Sequence, residues 1–261
     1  MNLKRINAVV WRHLYNFKHS LDRMVDSFYW PAMDILTWGI TSSYIQQTGT
    51  KVPMVLVMIL SGLVLWTVVY RSQYEITINL LEELWSTNLV NLFTTPLTVG
   101  EWLVAIAILS FIKMVITIVF SAGLIWLLYQ VKLVIFGWWL LQFMAILLIF
   151  GWALGFFVAG LILRYGMRIQ ALAWTTVYIL SPFSAVFYPL STLPLWAQKI
   201  GLVLPTSYIF EGMRTVLFGG AIDPANLIKS AGLTLVYLLG SIIFFLVMFK
   251  QAKVSGLARL E

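Results

Sequence analysis

The chain has 261 residues, 61% of them hydrophobic and only 10% charged, with a mean hydropathy of +0.92. Soluble domains carry about 25% charged residues, so too little charge is present to cover a water-facing surface, and an ordinary soluble enzyme is excluded. The lack of cysteine excludes disulfide scaffolds, zinc–thiolate sites and cysteine nucleophiles, and in so apolar a chain the +7 formal charge reports orientation in a membrane rather than a nucleic-acid partner.

The first 27 residues lack the unbroken apolar core of a cleavable signal peptide. Leu3, Ile6, Val10, Leu14, Phe17, Leu21, Met24 and Phe28 instead step by three or four, which draws one stripe along a helix. Lys4, Arg5, Arg12, Lys18 and Arg23 surround that stripe. The pattern predicts an amphipathic helix at the membrane interface, apolar side toward lipid, with a helix packed on protein as the alternative. Asp22 and Asp26 point to the second, since they suit a protein contact better than a lipid one. His13 and His19 share this segment without further metal-ligating company.

A first span is expected over 28–45, entered through Phe28-Tyr29-Trp30 with Pro31 in its first turn and Asp34 inside it. A polar loop to Lys51 and a second span over 53–70 follow, ended by Arg71. From 72 to 95 the chain turns polar, with Glu75, Asn79, Glu82, Glu83, Asn88 and Asn91, while Ile76, Leu80 and Leu84 keep helical spacing. This reads as an amphipathic cytoplasmic helix rather than a span, broken at Thr94-Thr95-Pro96-Leu97.

Glu101-Trp102 opens a third span over 101–129, with Lys113 near its middle. Lys132 marks a tight turn before a fourth span over 133–163. There Gly151, Gly155 and Ala159 recur at four-residue spacing, which lets another helix approach closely. The same span is dense in aromatics (Trp138, Trp139, Phe143, Phe150, Trp152, Phe156, Phe157), which suit lipid contact and interfacial anchoring. A fifth span is expected over 169–188 and a last one over 227–249. A charge at the bilayer centre costs at least ~2.5–3.5 kcal/mol. An Asp34–Lys113 pair would lower that cost, although their depths differ by about 9 Å; a snorkelling or cavity-facing Lys113 is the competing reading.

With both termini inside, the cytoplasmic cations are Lys4, Arg5, Arg12, Lys18, Arg23, Arg71, Arg164, Arg168, Lys250, Lys253 and Arg259. The opposite side holds Lys51, Lys132, Lys199, Arg214 and Lys229. Eleven against five selects that orientation: a multi-pass protein of the plasma membrane with cytoplasmic termini.

The stretch 189–226 is mostly apolar yet punctuated by Pro189, Pro194, Gly201, Pro205, Gly219 and Gly220. It predicts two helical pieces, Pro194–Leu204 and Ser207–Phe218, with Thr206 or Ser207 as N-cap and Gly219 as the left-handed stop. Each is roughly 17 Å long, so neither crosses a ~30 Å core alone, and a re-entrant pair satisfies the lengths. Glu211 and Arg214 lie three apart, as functional ions or as a local bridge.

Tyr188-Pro189-Leu190-Ser191-Thr192-Leu193-Pro194-Leu195-Trp196, then Leu204-Pro205-Thr206-Ser207-Tyr208, then Glu211-Gly212-Met213-Arg214 resembles the signature of type-2 ATP-binding-cassette exporter permeases. Leu81-Glu82-Glu83-Leu84 leading to Thr95-Pro96-Leu97 is similar to that family's region before its third span. The resemblance covers essentially the whole chain. It implies an all-α domain of six spans, a pair of permease copies around a translocation path, and a separate ATPase subunit carrying ATP and magnesium. No Gly-Lys dipeptide occurs in the chain, so a phosphate-cradling G-x-x-x-x-G-K-[ST] loop is missing. By position, 76–93 would be the coupling helix, with Glu82, Glu83, Leu84 and Asn88 at the ATPase contact. Pro194, Pro205, Tyr208, Glu211 and Arg214 would belong to the extracellular gate. A secondary transporter or channel, not coupled to ATP, is the alternative, although such proteins break helices in both halves and only one break is seen here. An intramembrane enzyme is poorly served by spans with one Asp, no Cys and no His.

Overall fold

The computed structural model describes residues 1–47 and 54–256, all-helical with no strand among them. Ten α-helices follow in chain order: α1 (Leu3–His19), α2 (Leu21–Gln47), α3 (Val55–Trp85), α4 (Leu89–Thr94), α5 (Val99–Tyr129), α6 (Trp138–Tyr165), α7 (Leu172–Leu180), α8 (Leu195–Val203), α9 (Pro205–Leu217) and α10 (Pro224–Ser255). Among the described residues, four helices are long and apolar enough to cross a bilayer: Val55–Trp85, Val99–Tyr129, Trp138–Ile169 and Pro224–Ser255. That number is consistent with a membrane protein. Lys51 and Arg259, two of the charges used for orientation, lie outside the described residues.

Several expected boundaries move. The N-terminal helix stops at His19, where Ser20 adopts an extended conformation (φ −110°, ψ 111°). The next helix begins at Leu21 rather than Phe28, so Pro31 sits inside α2 instead of in a first turn. Pro31 lacks the N–H that would reach the Ser27 carbonyl, yet its ring is buried and the helix continues through it. The largest change concerns 72–95. α3 runs unbroken past Arg71 to Trp85, and apart from the half-buried Glu82 the polar residues of 71–83 are buried along it. A polar stripe satisfied by internal partners leaves the same periodicity as one facing water. The expected fifth span of 169–188 is a nine-residue helix, α7, flanked by 3₁₀ turns at Gly166–Ile169 and Ser181–Phe183. Pro182 removes the N–H needed to carry the α-helix onward. A 3₁₀ turn at Leu133–Phe136 likewise precedes α6, separated from it by Gly137 at φ 51°.

The helix starts have local causes. Thr98 and Glu101 form a capping box: Thr98 Oγ1 accepts from the Glu101 N–H at 3.3 Å and Glu101 Oε2 accepts from the Thr98 N–H at 3.0 Å. Asp223 caps α10 through the Ala225 N–H at 2.9 Å, ahead of Pro224 at the first helical position.

α3 is the axial element, packed by α2, α5 and α6, while α10 runs along the far side of α6. The apolar core falls into two clusters. The one at the C-terminal end of α3 gathers Ile6, Val9 and Val10 of α1 with Leu84, Leu89, Trp102, Ile162 and Phe249. The middle of the α1 stripe, Ile6 and Val10, is thus packed against the chain's own helices, while Leu3 stays exposed. The second cluster, at the N-terminal end of α3, gathers Leu63, Phe143, Val186, Phe210 and Met213.

The α3–α6 contact depends on missing side chains. A Cβ on Gly151 would sit 2.5 Å from Ser72 Cβ and 2.8 Å from the Val69 carbonyl; on Gly155 it would sit 2.6 Å from Ile76 Cβ and 3.0 Å from the Gln73 carbonyl. Backbone cannot yield as a flexible side chain can, so overpacking here costs about 1–3 kcal/mol. Gly151→Ala is therefore expected to lower the thermal midpoint of the detergent-solubilised protein. Gly123→Ala, whose Cβ would meet nothing within 4 Å, is expected to leave it unchanged or raised, since Ala favours a helix over Gly. Equal effects of the two substitutions would contradict this packing.

Candidate functional site

Two arrangements of polar side chains stand out against the apolar bundle, one along α3 and one beside α9. The first begins with Arg71, Glu75, Asn79 and Glu83, four apart and therefore on one flank of α3. Glu75 is 1% exposed; its Oε1 accepts from Arg71 and its Oε2 accepts from Lys113 Nζ on α5 at 2.8 Å. Asn79 Nδ2 donates to the same Oε2 at 3.3 Å. Arg71 also donates to Ser27 Oγ at 2.9 Å and to the Asp26 carbonyl at 3.4 Å, both on α2. Tyr74 places its ring 5.4 Å from the Arg71 guanidinium and donates its hydroxyl to Asp26 Oδ2 at 2.6 Å. The Lys113 ammonium lies 5.0 Å from the Phe17 ring centroid of α1. The Arg71–Glu75–Lys113 cluster thus touches four helices.

Lys113 therefore neither snorkels nor pairs with Asp34. Asp34 makes no ion pair among the described residues, and the carboxylate that meets Lys113 is Glu75, drawn from the segment expected to be cytoplasmic.

Farther along α3 the polar flank meets α1 and α2. Arg12 pairs with Glu83, Arg23 pairs with Glu82, and Asn88 Nδ2 donates to Glu83 Oε2 at 2.7 Å. Glu82 and Glu83, expected at an ATPase contact, are partnered within the chain, with Glu82 still half-exposed. Leu84, expected there too, is buried in the core. Arg12, His13, Asn16, Glu82, Glu83 and Asn88 border a polar cleft of about 610 Å³ open at this end. The exposed edge beside it is Trp85, Ser86, Thr87 and Asn91.

His13 is 3% exposed, with Nε2 3.2 Å from Arg12 Nη2 and ring nitrogens 3.5 and 3.6 Å from Glu83 and Glu82. Burial first, then the Arg12, Lys113 and Arg23 charges, pull its pKa down to about 3, against the smaller opposing pull of Glu75. It is a neutral imidazole in the folded protein.

The second arrangement lies at the opposite end of α3. α8 and α9 have nine and 13 residues, with Pro205 at the first position of α9 and Leu204 as its N-cap. The cap is thus two or three residues earlier than Thr206 or Ser207, whose hydroxyls bond elsewhere. Thr206 reaches Ser184 Oγ at 3.0 Å, and Ser207 donates to the Gly201 carbonyl at 2.6 Å. Tyr208 donates to the Leu202 carbonyl at 2.8 Å. Gly219 is at φ 75°, just beyond the helix end.

Arg214 is 5% exposed and ties α9 to the loop after α7, donating to the Ala185 carbonyl at 2.8 Å. Glu211 lies 3.1 Å from Arg214 Nη2 and accepts from the Leu190 N–H at 2.6 Å. The Glu211–Arg214 bridge is local, but it fastens the strap 185–190 across α9. Leu190 of that strap and Glu211 also border a cleft of about 310 Å³, together with Phe143, Tyr208 and Asn226.

Sequence reasoning named Glu82, Glu83, Glu211, Arg214 and Lys113 but passed over Arg71, Glu75, His13 and Arg23 as cluster members. The available signal was the four-residue recurrence of polar residues on α3 together with a buried lysine in need of a counter-charge. No group of three or more potential metal ligands occurs among the described residues. No protein-family model matches the chain, and neither does any curated protein.

A depressed histidine pKa has a definite sign. Unfolded His13 binds a proton below about pH 6.5, whereas the folded one does not until about pH 3. The unfolded state then holds more protons, so His13 contributes stability above pH 6.5 that is lost as the pH falls toward 3. Between pH 7 and 5, wild-type thermal stability is expected to decline more steeply than that of His13→Gln. Identical slopes would show that His13 is not buried as a neutral ring.

Proposed function

We propose that this chain is the membrane-embedded permease subunit of an ATP-driven exporter, carrying an amphipathic substrate such as a drug, a lipid or a lipid-linked glycan. The observation that carries the reading is the pair of short helices α8 and α9 set between α7 and the last long helix. At 1.5 Å per residue they are about 14 and 20 Å long, too short to cross a bilayer. Such backbone suits a plug that dips into the membrane where protein surrounds it. The resemblance of this stretch to type-2 exporter permeases supports the same reading. In it α2 and the α7 region complete six spans, and the termini lie in the cytoplasm.

The two polar arrangements then divide the work. The polar platform of α1 and α3 would receive an ATPase subunit, which supplies ATP binding and hydrolysis. Because Glu82 and Glu83 are spent on Arg23 and Arg12, the surface left for docking is the exposed Trp85–Thr87 edge and Asn91 on α4. At the other end, Pro205 and Gly219 bound α9, so tilting needs dihedral changes at few residues. Breaking the Arg214–Ala185 bond would release the strap from α9. Two copies would enclose the path between them.

One observation favours a second reading, an ion-driven transporter or channel. The Arg71–Glu75–Lys113 cluster is an ionisable group within long apolar helices, as ion-coupled transporters use. The two readings separate on one experiment. Asn91→Cys, in a chain without native cysteine, is expected to cross-link to a soluble ATPase that co-purifies from native membranes. Purification with no ATPase, combined with substrate flux driven by an ion gradient alone, would overturn the exporter reading.

A further inference from the structure

We infer that the groove between α3, α5 and the start of α6 is a binding site for one anionic phospholipid of the surrounding bilayer, with its acyl chain in the groove and its phosphate on Lys132. The groove measures about 410 Å³, within the range of roughly 300–1,000 Å³ that small-molecule sites occupy. Val68 of α3, Ala122 and Trp126 of α5, and Met144 of α6 lie along it. Apart from Lys132 and the indole N–H of Trp126, the lining is aliphatic or methionine. Such a trough offers a hydrocarbon chain dispersion contacts on several sides and gives a polar solute nothing to bond.

Lys132 supplies the direction. It stands where α5 has ended and the 3₁₀ turn at 133–136 begins, beside Met54, Leu56 and Val57 at the N-terminus of α3. Its ammonium is exposed and has no hydrogen-bond or ion-pair partner among the described residues. Val131, Lys132 and Val134 also border a second cleft, with Gln46, Tyr129 and Gln130 on its wall. An apolar trough therefore meets a more polar cleft at one free cation. A phospholipid has that sequence of chemistries, acyl chain first, then phosphate, then a polar headgroup. Trp126, 52% exposed at the same end, is placed as interfacial indoles are. The inference needs only that the long helices span a bilayer; it does not rest on what the protein exports.

The test is native mass spectrometry of the full chain in detergent, titrated with phosphatidylglycerol or phosphatidylcholine of the same acyl chains. One lysine beside an anionic headgroup predicts about a five-fold preference for phosphatidylglycerol. Lys132→Ala should abolish the preference while leaving a phosphatidylcholine adduct, because the trough remains. Lys132→Arg should restore it. Ala122→Trp, which fills the trough, should remove both adducts; circular dichroism and the thermal midpoint check that it folds. Equal binding of the two lipids by wild type would overturn the assignment, as would full adduct formation by folded Ala122→Trp. So would a second copy of the chain as occupant, seen as a dimer that Ala122→Trp dissociates without changing the lipid count.

Discussion

A carboxylate inside an apolar bundle is tolerated only when cations and hydrogen bonds replace the water it has lost, and Glu75 is supplied from several directions at once. Arg71 reaches it along the same helix, Lys113 from α5 and Asn79 from the next turn. Such a group gains little net stability over well-packed hydrocarbon, but removing one partner strands the other, at a cost of about 3–5 kcal/mol. The consequence is geometric. Lys113 fixes the rotation of α5 against α3, and Arg71 fixes α2 through Ser27 and the Asp26 carbonyl.

Dispersion sets the rest of the bundle around that axis. The side of α3 that meets α6 has no room for a Cβ at Gly151 or Gly155, so the two backbones approach closely and lock α6 in register. α10 then lies against α6, with Phe244 over Gly160. Polar pairing on one side of α3 and close packing on another leave little freedom in the middle of the molecule. The two ends are tied by side-chain pairs instead: the α1 platform at one, and at the other the short helices held by Arg214 and Glu211. α3 runs from one end to the other and contacts both.

Much of this was legible in the residues. Long apolar runs mark α5, α6 and α10 almost to their ends, Thr98–Glu101 announces a helix start, and the proline pattern from 189 to 220 announces two short helices. The failures share a cause. Helical periodicity says which residues share a face but not what that face meets. The stripe Arg71, Glu75, Asn79, Glu83 was assigned to water and is buried against α1, α2 and α5. The apolar stripe of α1 suits lipid or protein equally by its spacing, and Ile6 and Val10 meet protein. Lys113 was left without its counter-ion, because the residue that supplies it lies 38 positions away, in a segment placed outside the membrane. Long-range charge pairing has no local signature; only the cost of an unpaired buried lysine hinted at it.

The account therefore stands on the coupling between Glu75 and Lys113, which a double-mutant cycle measures directly. Glu75→Gln, Lys113→Met and the double variant would be compared with wild type by reversible unfolding in detergent micelles. Glu75→Gln deprives Lys113 and Arg71 of their carboxylate, and Lys113→Met leaves Glu75 with Arg71 alone. The double variant should therefore be destabilised by less than the sum, with a coupling on the order of 1–3 kcal/mol. Additive effects, with no coupling outside error, would contradict the claim that this pair holds α5 to α3.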